Sequence, residues 1–214
     1  MFKLKLKSDF TETYDAFFDK EGLEFRRMSN EGPTRLEMFN EFRQLGIKTP
    51  KFGGYILFMQ DNPDNLVVLH HGNKHNGEGK QLKALKDVND WERGNCLFCE
   101  YYFPTLTMDP KLQGHSSRIL CIGNRAWSLE YYSYEDWRSN CGEGDILLKG
   151  EIPLPAWRTK LAYPLLAIDF VGPDTNLKAI DLNIAPGIRG IKLGLQGYEI
   201  VNLIKEYYKC LINS

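Results

Sequence analysis

Two carboxylates and a carboxamide stand close together late in the chain, Asp169, Asp181 and Asn183, within Leu165-Leu-Ala-Ile-Asp-Phe-Val-Gly-Pro-Asp-Thr-Asn-Leu-Lys-Ala-Ile-Asp-Leu-Asn-Ile-Ala-Pro-Gly187. Two apolar runs, Leu165 to Val171 and Leu177 to Ile184, flank Gly172 to Asn176, whose turn formers predict a β-hairpin. With the turn centred near Thr175, Asp169 falls opposite Asp181, and cross-strand Cβ atoms are only about 5 Å apart. Asn183, two residues further on, projects from the same face. Two ionised carboxylates this close repel each other. Burying either among Ile168, Phe170, Ile180 and Leu182 without a partner is costly. Either the acids lie at the solvent edge of the hairpin, or something positive sits beside them. Mg²⁺ suits such an oxygen-only set, because it takes one or two carboxylates and completes its shell with water and phosphate oxygens.

Three other stretches carry chemistry. Gly72-Asn-Lys-His-Asn-Gly-Glu-Gly-Lys80 lies between a strand predicted over Leu66 to His70 and a helix predicted from Gln81 to about Lys86. A glycine-rich bend can turn successive backbone N–H groups inward as an anion-binding nest; a plain glycine-rich hairpin is the other reading. Ser116 to Asn124 is a strand led by Arg118, Arg125 to Tyr131 is its hairpin partner, and Asp136-Trp-Arg-Ser-Asn-Cys-Gly-Glu-Gly144 follows. Arg118 and Arg138 are planar, permanently charged and able to grip a phosphate with two hydrogen bonds each. Arg138 and Asn140 could instead only cap a turn. Cys96 and Cys99 have the spacing of zinc ligands, but a tetrahedral site needs a second pair and none follows.

These residues need elements to position them. Phe2, Leu4 and Leu6 alternate with Lys3, Lys5 and Lys7, the period of a half-buried strand. Residues 11–20, with Tyr14, Phe17 and Phe18 on one side, predict a short helix, and Met28 to Pro33 are turn formers. Pro33 opens an amphipathic helix carrying Leu36, Met38, Phe39, Phe42 and Leu45, and Gly46 stops it. Tyr55 to Met59 reads as a strand, Asp61 to Asn65 as a turn, and Asn95 to Phe103 as a further strand. Trp157 to Tyr163 is a helix or connection packed behind the hairpin, and residues 188–197 form a loop. The last helix gathers Ile200, Val201, Leu203, Ile204, Tyr207, Tyr208, Leu211 and Ile212 on one broad face, which packs on the core.

Composition narrows the function. A chain of 214 residues, 43% hydrophobic and 13% aromatic, builds one large domain or two small lobes around a real core. A formal net charge of −1 argues against a general nucleic-acid binder, which needs a basic excess or a basic face. No apolar run approaches the roughly 20 residues of a membrane span. No secretory signal is read at the N-terminus, and five cysteines, three of them in strand-like segments, fit reduced thiols in the cytoplasm.

Asp169 followed by Asp181-x-Asn183-x-x-Pro186-Gly187 resembles the magnesium-binding end of the ATP-grasp superfamily, with Asp181 where glutamate is usual. Leu45-Gly-Ile-Lys-Thr-Pro-Lys51 looks like the turn after the first helix of many of its members. The Arg118 strand and Arg138-Ser139-Asn140 resemble segments of its amino-acid ligases, the branch that includes the enzyme adding glutamate to a ribosomal protein. The likeness runs in order over roughly residues 33–212. It implies an α+β fold of two lobes, each an antiparallel sheet with helices, holding the nucleotide between them. Residues 33–102 would form the first lobe and 103–214 the second, with 1–32 a short remnant where family members carry a larger N-terminal domain. Either the two lobes alone build the substrate site, or a homodimer or a partner subunit would replace that domain.

The resemblance further implies ATP and Mg²⁺ as cofactors, with Asp169, Asp181 and Asn183 holding the metal. Lys74, His75, Gly77, Gly79 and Lys80 would belong to the loop closing over the phosphates. Glu100, Tyr101 and Tyr102 would meet adenine, Asn140 the nucleotide, and Arg118 and Arg138 the reacting phosphate. One departure stands out: the family's lysine on the strand before the loop is missing, since that region reads Val67-Val-Leu-His-His71. His70, Lys74 or Lys80 could supply the cation. Arg35 sits where a lysine is common near the start of the first helix. The reaction implied is activation of a small-molecule or peptide carboxylate as an acyl phosphate and its joining to an amine. A kinase or phosphotransferase using the same nucleotide site, or a catalytically silent nucleotide-binding subunit, are the alternatives.

Overall fold

In the computed structural model the described residues are 3–6, 24–27, 34–72, 79–102, 111–161, 163–183, 186, 190–191, 194–195 and 197–213. The expected N-terminal strand is present as β1 (Lys3–Leu6), in parallel pairing with β2 (Glu24–Arg27), a partner the sequence did not announce. The helix expected over 11–20, Pro33, and residues 73–78 of the glycine-rich loop, among them Lys74, His75 and Gly77, lie outside the described residues.

α1 (Arg35–Gln44) starts at Thr34, whose side chain accepts from the Glu37 amide while Glu37 reaches back to the Thr34 amide. This reciprocal cap satisfies two backbone donors that a helix start otherwise leaves open. Met38, Phe39 and Phe42 are buried as expected, and the Phe39 ring stacks on Phe52 at 4.6 Å. Leu36, assigned to the apolar face by spacing, instead points to solvent and is 48% exposed.

A four-stranded antiparallel sheet follows, in the order β3 (Phe52–Gly53), β6 (Leu97–Glu100), β4 (Leu66–His70), β5 (Lys80–Ala84). Residues 81–84, read as helical, are thus a strand. Gln, Leu, Lys and Ala are good helix formers, but pairing with β4 supplies their hydrogen bonds and Leu82 packs into the core beside Val68. The glycine-rich loop therefore closes a β-hairpin and does not lead into a helix. The strand expected over 55–59 is a 3₁₀ turn, Tyr55–Leu57, in which Phe58 packs inward while Ile56 and Met59 face solvent. α2 (Asp90–Asn95), capped by Asn89 and Glu92, takes the start of the strand expected from Asn95.

The larger sheet has five antiparallel strands in the order β11 (Lys178–Asn183), β10 (Leu165–Val171), β7 (Gly114–Ile122), β8 (Arg125–Ser133), β9 (Gly144–Ile152). β9 was not anticipated. On one face Leu120, Ile122, Leu129, Leu165 and Ala167 pack against Ile200, Val201 and Ile204 of α3 (Gly197–Asn213), as the terminal helix pattern required. On the other, Cys121, Ala126, Ile168 and Phe170 share a core with α1 and with Val68 and Cys99 of the smaller sheet. The Trp157 segment is a 3₁₀ turn, Ala156–Lys160. No helix among the described residues is long and apolar enough to cross a membrane.

Candidate functional site

The hairpin register puts Asp169 directly opposite Asp181, and Ala167 opposite Asn183. A register shift just after Asp169 leaves Ile180 as the extra residue of β11, a bulge that bends the strand beside the acids. On its other side Asp169 faces Arg118 of β7. Arg118 grips it with two bonds, Nε to Oδ1 at 2.6 Å and Nη2 to Oδ2 at 2.8 Å. Arg118 also donates to the Tyr131 hydroxyl at 3.2 Å and lies over that ring at 4.7 Å. Burial alone would weaken its hold on the proton, but the Asp169 carboxylate outweighs this and keeps the guanidinium firmly charged.

Asp181 has its own arginine: Arg35, the first residue of α1, donates from Nη1 to Asp181 Oδ1. Arg35 is 4% exposed and Asn183 8%. The positive partner that two facing acids demand is therefore present in the chain itself, as two guanidiniums. The sequence shows where Arg35 stands but not what it faces; the Thr34-x-x-Glu37 cap, legible in the sequence, fixes it at the helix start.

The smaller sheet contributes from across the core. His70 and Lys80 are cross-strand partners, on the same face as Val68 and Leu82. Lys80 is half-buried. Burial lowers its proton affinity, and Arg35 adds to that, while Asp181 and Asp169 pull the other way. His70 is 6% exposed, and burial, then Lys80 and Arg35, depress it from its ordinary value to about 3, so the imidazole is neutral. Gly79 takes a left-handed φ of 65° and its carbonyl accepts from the His71 amide at 2.7 Å, closing the hairpin just ahead of Lys80.

Arg138 is held within its own loop, where Nε and Nη2 meet the Asp136 carboxylate at 2.9 and 2.6 Å. Ser139 bonds Ser116, Oγ to Oγ at 2.5 Å, and Ser116 shares a face of β7 with Arg118. A Cβ on Gly114 would lie 2.5 Å from the Asp136 carbonyl, so the loop and β7 approach as closely as a glycine permits. Asn140 is exposed. Glu100 accepts from the Lys51 amide at 3.1 Å and from the Tyr102 hydroxyl at 2.9 Å. Burial first, and the Glu100 carboxylate second, push the Tyr102 hydroxyl up to about 12. Tyr102 abuts Gly172 at the hairpin turn, and Tyr101 meets Trp137 edge-on at 6.0 Å.

Asp169, Asp181, Asn183, Arg118 and Lys80 thus converge, with Arg35 added. Arg138 is bound to Asp136, and Glu100 to the Lys51 amide and the Tyr102 hydroxyl. Among the described residues no three His, Cys, Asp or Glu gather as a metal cluster. Two carboxylates and a carboxamide remain an oxygen set suited to Mg²⁺ sharing phosphate ligands. Cys96 and Cys99 are free thiols; Cys96 lies 3.4 Å from His71 Nδ1 and Cys99 is buried.

No protein-family model matches the sequence, and no curated protein does. Solved structures match along most of the chain. A RimK domain protein of the ATP-grasp type from Sphaerobacter thermophilus is 12% identical, with 94% of this chain and 77% of that one aligned at a TM-score of 0.53. The macrocyclase MdnC from Microcystis aeruginosa, bound with precursor peptide MdnA, is 16% identical over 98% and 73% at 0.52. A RiPP-associated ATP-grasp ligase from Chryseobacterium gregarium, in complex with ADP and a leader and core peptide, is 12% identical over 93% and 69%, also at 0.52. At such identities the likeness is one of fold.

Proposed function

The chain has an ATP-grasp fold, and on that premise we propose that it is an ATP-dependent ligase that activates a carboxylate as an acyl phosphate and joins it to an amine. The observation that carries this reading is the pairing of Asp169 and Asp181 with Arg118 and Arg35, faced by Lys80. Such a set has little use in a core, where an apolar replacement is often as stable, but it is what a polyphosphate with its metal requires. The nucleotide lies between a first lobe, residues 33–102, and a second, 103–214.

In this reading the substrate carboxylate attacks the γ-phosphorus of ATP, and the bond to the β-phosphate oxygen breaks to release ADP. The amine then attacks the acyl carbon, phosphate leaves, and the amine's proton passes to solvent. Arg118 and Arg138 bind the transferring phosphoryl oxygens, in the geometry a guanidinium fork matches, and strengthen where charge develops. Lys80 meets the nucleotide phosphates from the first lobe, and Glu100 to Tyr102 border the base. Asp169, Asp181 and Asn183 would hold Mg²⁺, which when bound offsets the charge moving with the phosphoryl group. The loop from Gly72 to Lys80, with Lys74, His75, Gly77 and Gly79, covers the phosphates and keeps water from the acyl phosphate. Two structures of this fold hold peptides, which makes a peptide carboxylate or amine the first substrate class to screen.

Asp181→Ala and Asn183→Ala should each abolish Mg²⁺-dependent ADP release while leaving far-ultraviolet circular dichroism unchanged. Turnover that survives both changes removes the metal assignment. Thermal stabilisation by ATP is the prior test, since a ligand of the folded state alone raises stability by RT ln(1 + [L]/Kd).

A further inference from the structure

We propose that Met38 is a positioning residue for the side chains that would hold the metal, its thioether keeping β11 at the distance from α1 that sets Asp181 and Asn183. This rests on the ligase reading of the same site and adds the contact that fixes its geometry. β11 is an edge strand, so on the side away from β10 no strand among the described residues takes its backbone bonds. Two of its amides are met there by other means. The Ala179 amide donates to the Lys48 carbonyl at 2.8 Å, and the Leu182 amide to Met38 Sδ at 3.3 Å. In a regular antiparallel strand the outward amides fall two residues apart. Here they fall three apart, because Ile180 is the extra residue of the bulge. The bulge therefore turns outward the amide of Leu182, the residue between Asp181 and Asn183.

The same sulfur accepts from Arg35 Nη1 at 3.7 Å, and that nitrogen also donates to Asp181. Met38 is 3% exposed and stands one turn beyond Arg35 on α1. One buried atom thus ties the helix start, the guanidinium and the strand together. A thioether suits the place: it is unbranched and fills an irregular gap, and as a weak acceptor it takes the amide without drawing Arg35 from the carboxylate. An alkyl side chain of the same size would leave the Leu182 amide buried without its acceptor, a costly arrangement that a shift of β11 would relieve. Such a shift moves Asp181 and Asn183, which are joined to Leu182 through the backbone. Arg118 and Lys80 lie on other strands and stay in place. Metal affinity is therefore the quantity that Met38 governs, and nucleotide affinity is not.

The test compares Met38→Leu with protein in which norleucine or selenomethionine replaces all five methionines. Norleucine keeps the shape of the side chain and deletes the acceptor, whereas selenomethionine keeps both. The Mg²⁺ concentration giving half-maximal ADP release should rise about fivefold or more in Met38→Leu and in the norleucine protein, the order of one net hydrogen bond. Selenomethionine should restore the wild-type value, and ATP binding measured by calorimetry in EDTA should not change in any of them. Norleucine introduced into Met38→Leu should add nothing, which assigns the effect to position 38. A readout free of turnover is the Leu182 amide in NMR spectra, which should move upfield and exchange with solvent faster by a similar factor when the sulfur is gone. A norleucine protein with the wild-type Mg²⁺ requirement overturns the proposal, as does an unmoved Leu182 amide. Equal losses of Mg²⁺ and ATP affinity also overturn it, since they would make Met38 a packing residue only. ADP release under no condition sinks the ligase reading, and the hold of Met38 on β11 is then decided by the Leu182 amide.

Discussion

Acid should destabilise this chain through His70. Its ring is buried on the inner face of the smaller sheet, opposite Lys80, with Arg35 and His71 also unfavourable to a proton and only Asp181 favourable. Burial is the largest cause, and together these groups hold it at about 3 in the folded protein against an ordinary 6.5. Between those two values the unfolded chain binds a proton that the folded chain refuses, so stability present above pH 6.5 is lost as the pH falls. Integrating that difference gives a loss of about 2 kcal/mol between pH 7 and pH 5, and on the order of 1.4 kcal/mol per further unit. For a chain of this size 2 kcal/mol corresponds to a fall in Tm of roughly 4–8 °C. The assay is urea unfolding of wild type and His70→Gln at pH 7, 6 and 5. His70→Gln will shift stability at every pH for packing reasons, but it should be less acid-sensitive than wild type by about 2 kcal/mol over that range. Parallel pH profiles for the two proteins would refute the placement of His70 among cations and away from water.

Two further perturbations test the framework that positions the site. Gly114→Ala places a methyl 2.5 Å from the Asp136 carbonyl and 2.8 Å from that of Trp137. It should cost about 1–3 kcal/mol by displacing the loop that carries Arg138, with ADP release falling more than ADP affinity; unchanged kinetics would separate Arg138 from the reacting phosphate. Arg158 is 2% exposed and donates to the carbonyls of Leu161, Gly123 and Tyr163 while lying 4.8 Å from the Tyr207 ring centre. Arg158→Met strands those carbonyls and should cost about 3 kcal/mol or more in urea unfolding; a loss under 1 kcal/mol would mean that water or backbone shifts replace the guanidinium.

What the sequence revealed is what local chemistry can state. The β10–β11 hairpin was legible because Gly172 to Asn176 can only turn and the flanking runs have a period of two, so turn position and face assignment fix each other. The turn itself sets Phe170 opposite Ala179, and it is the bulge at Ile180 that brings Asp181 opposite Asp169. Residues 81–84 were misread because their composition favours a helix and only pairing with β4 makes them a strand. The 55–59 segment shows the converse: aromatic and aliphatic residues suggest a strand, but among the described residues no strand pairs with them, and Ile56 and Met59 remain in water.

The site divides along the same line. A positive partner for Asp169 and Asp181 follows from electrostatics, and nearby residues alone suggest a metal. The partners present are separated from the acids by 51 and 146 positions in the chain, and only the β7–β10 register and the packing of α1 beside β11 bring them in. Lys80 makes the point most sharply. A linear motif that asks for a lysine at the end of β4 finds His70 and stops. In an antiparallel hairpin the first residue of one strand occupies nearly the same place as the last of the other, with Cβ atoms about 5 Å apart, and Lys80 is the partner of His70. A long flexible side chain spans that offset easily, so the charge can be supplied from either strand. If Lys80 supplies it, as proposed, a second cation at His70 would raise repulsion in a site that already holds Arg35, and a residue that burial keeps neutral is the one that fits there.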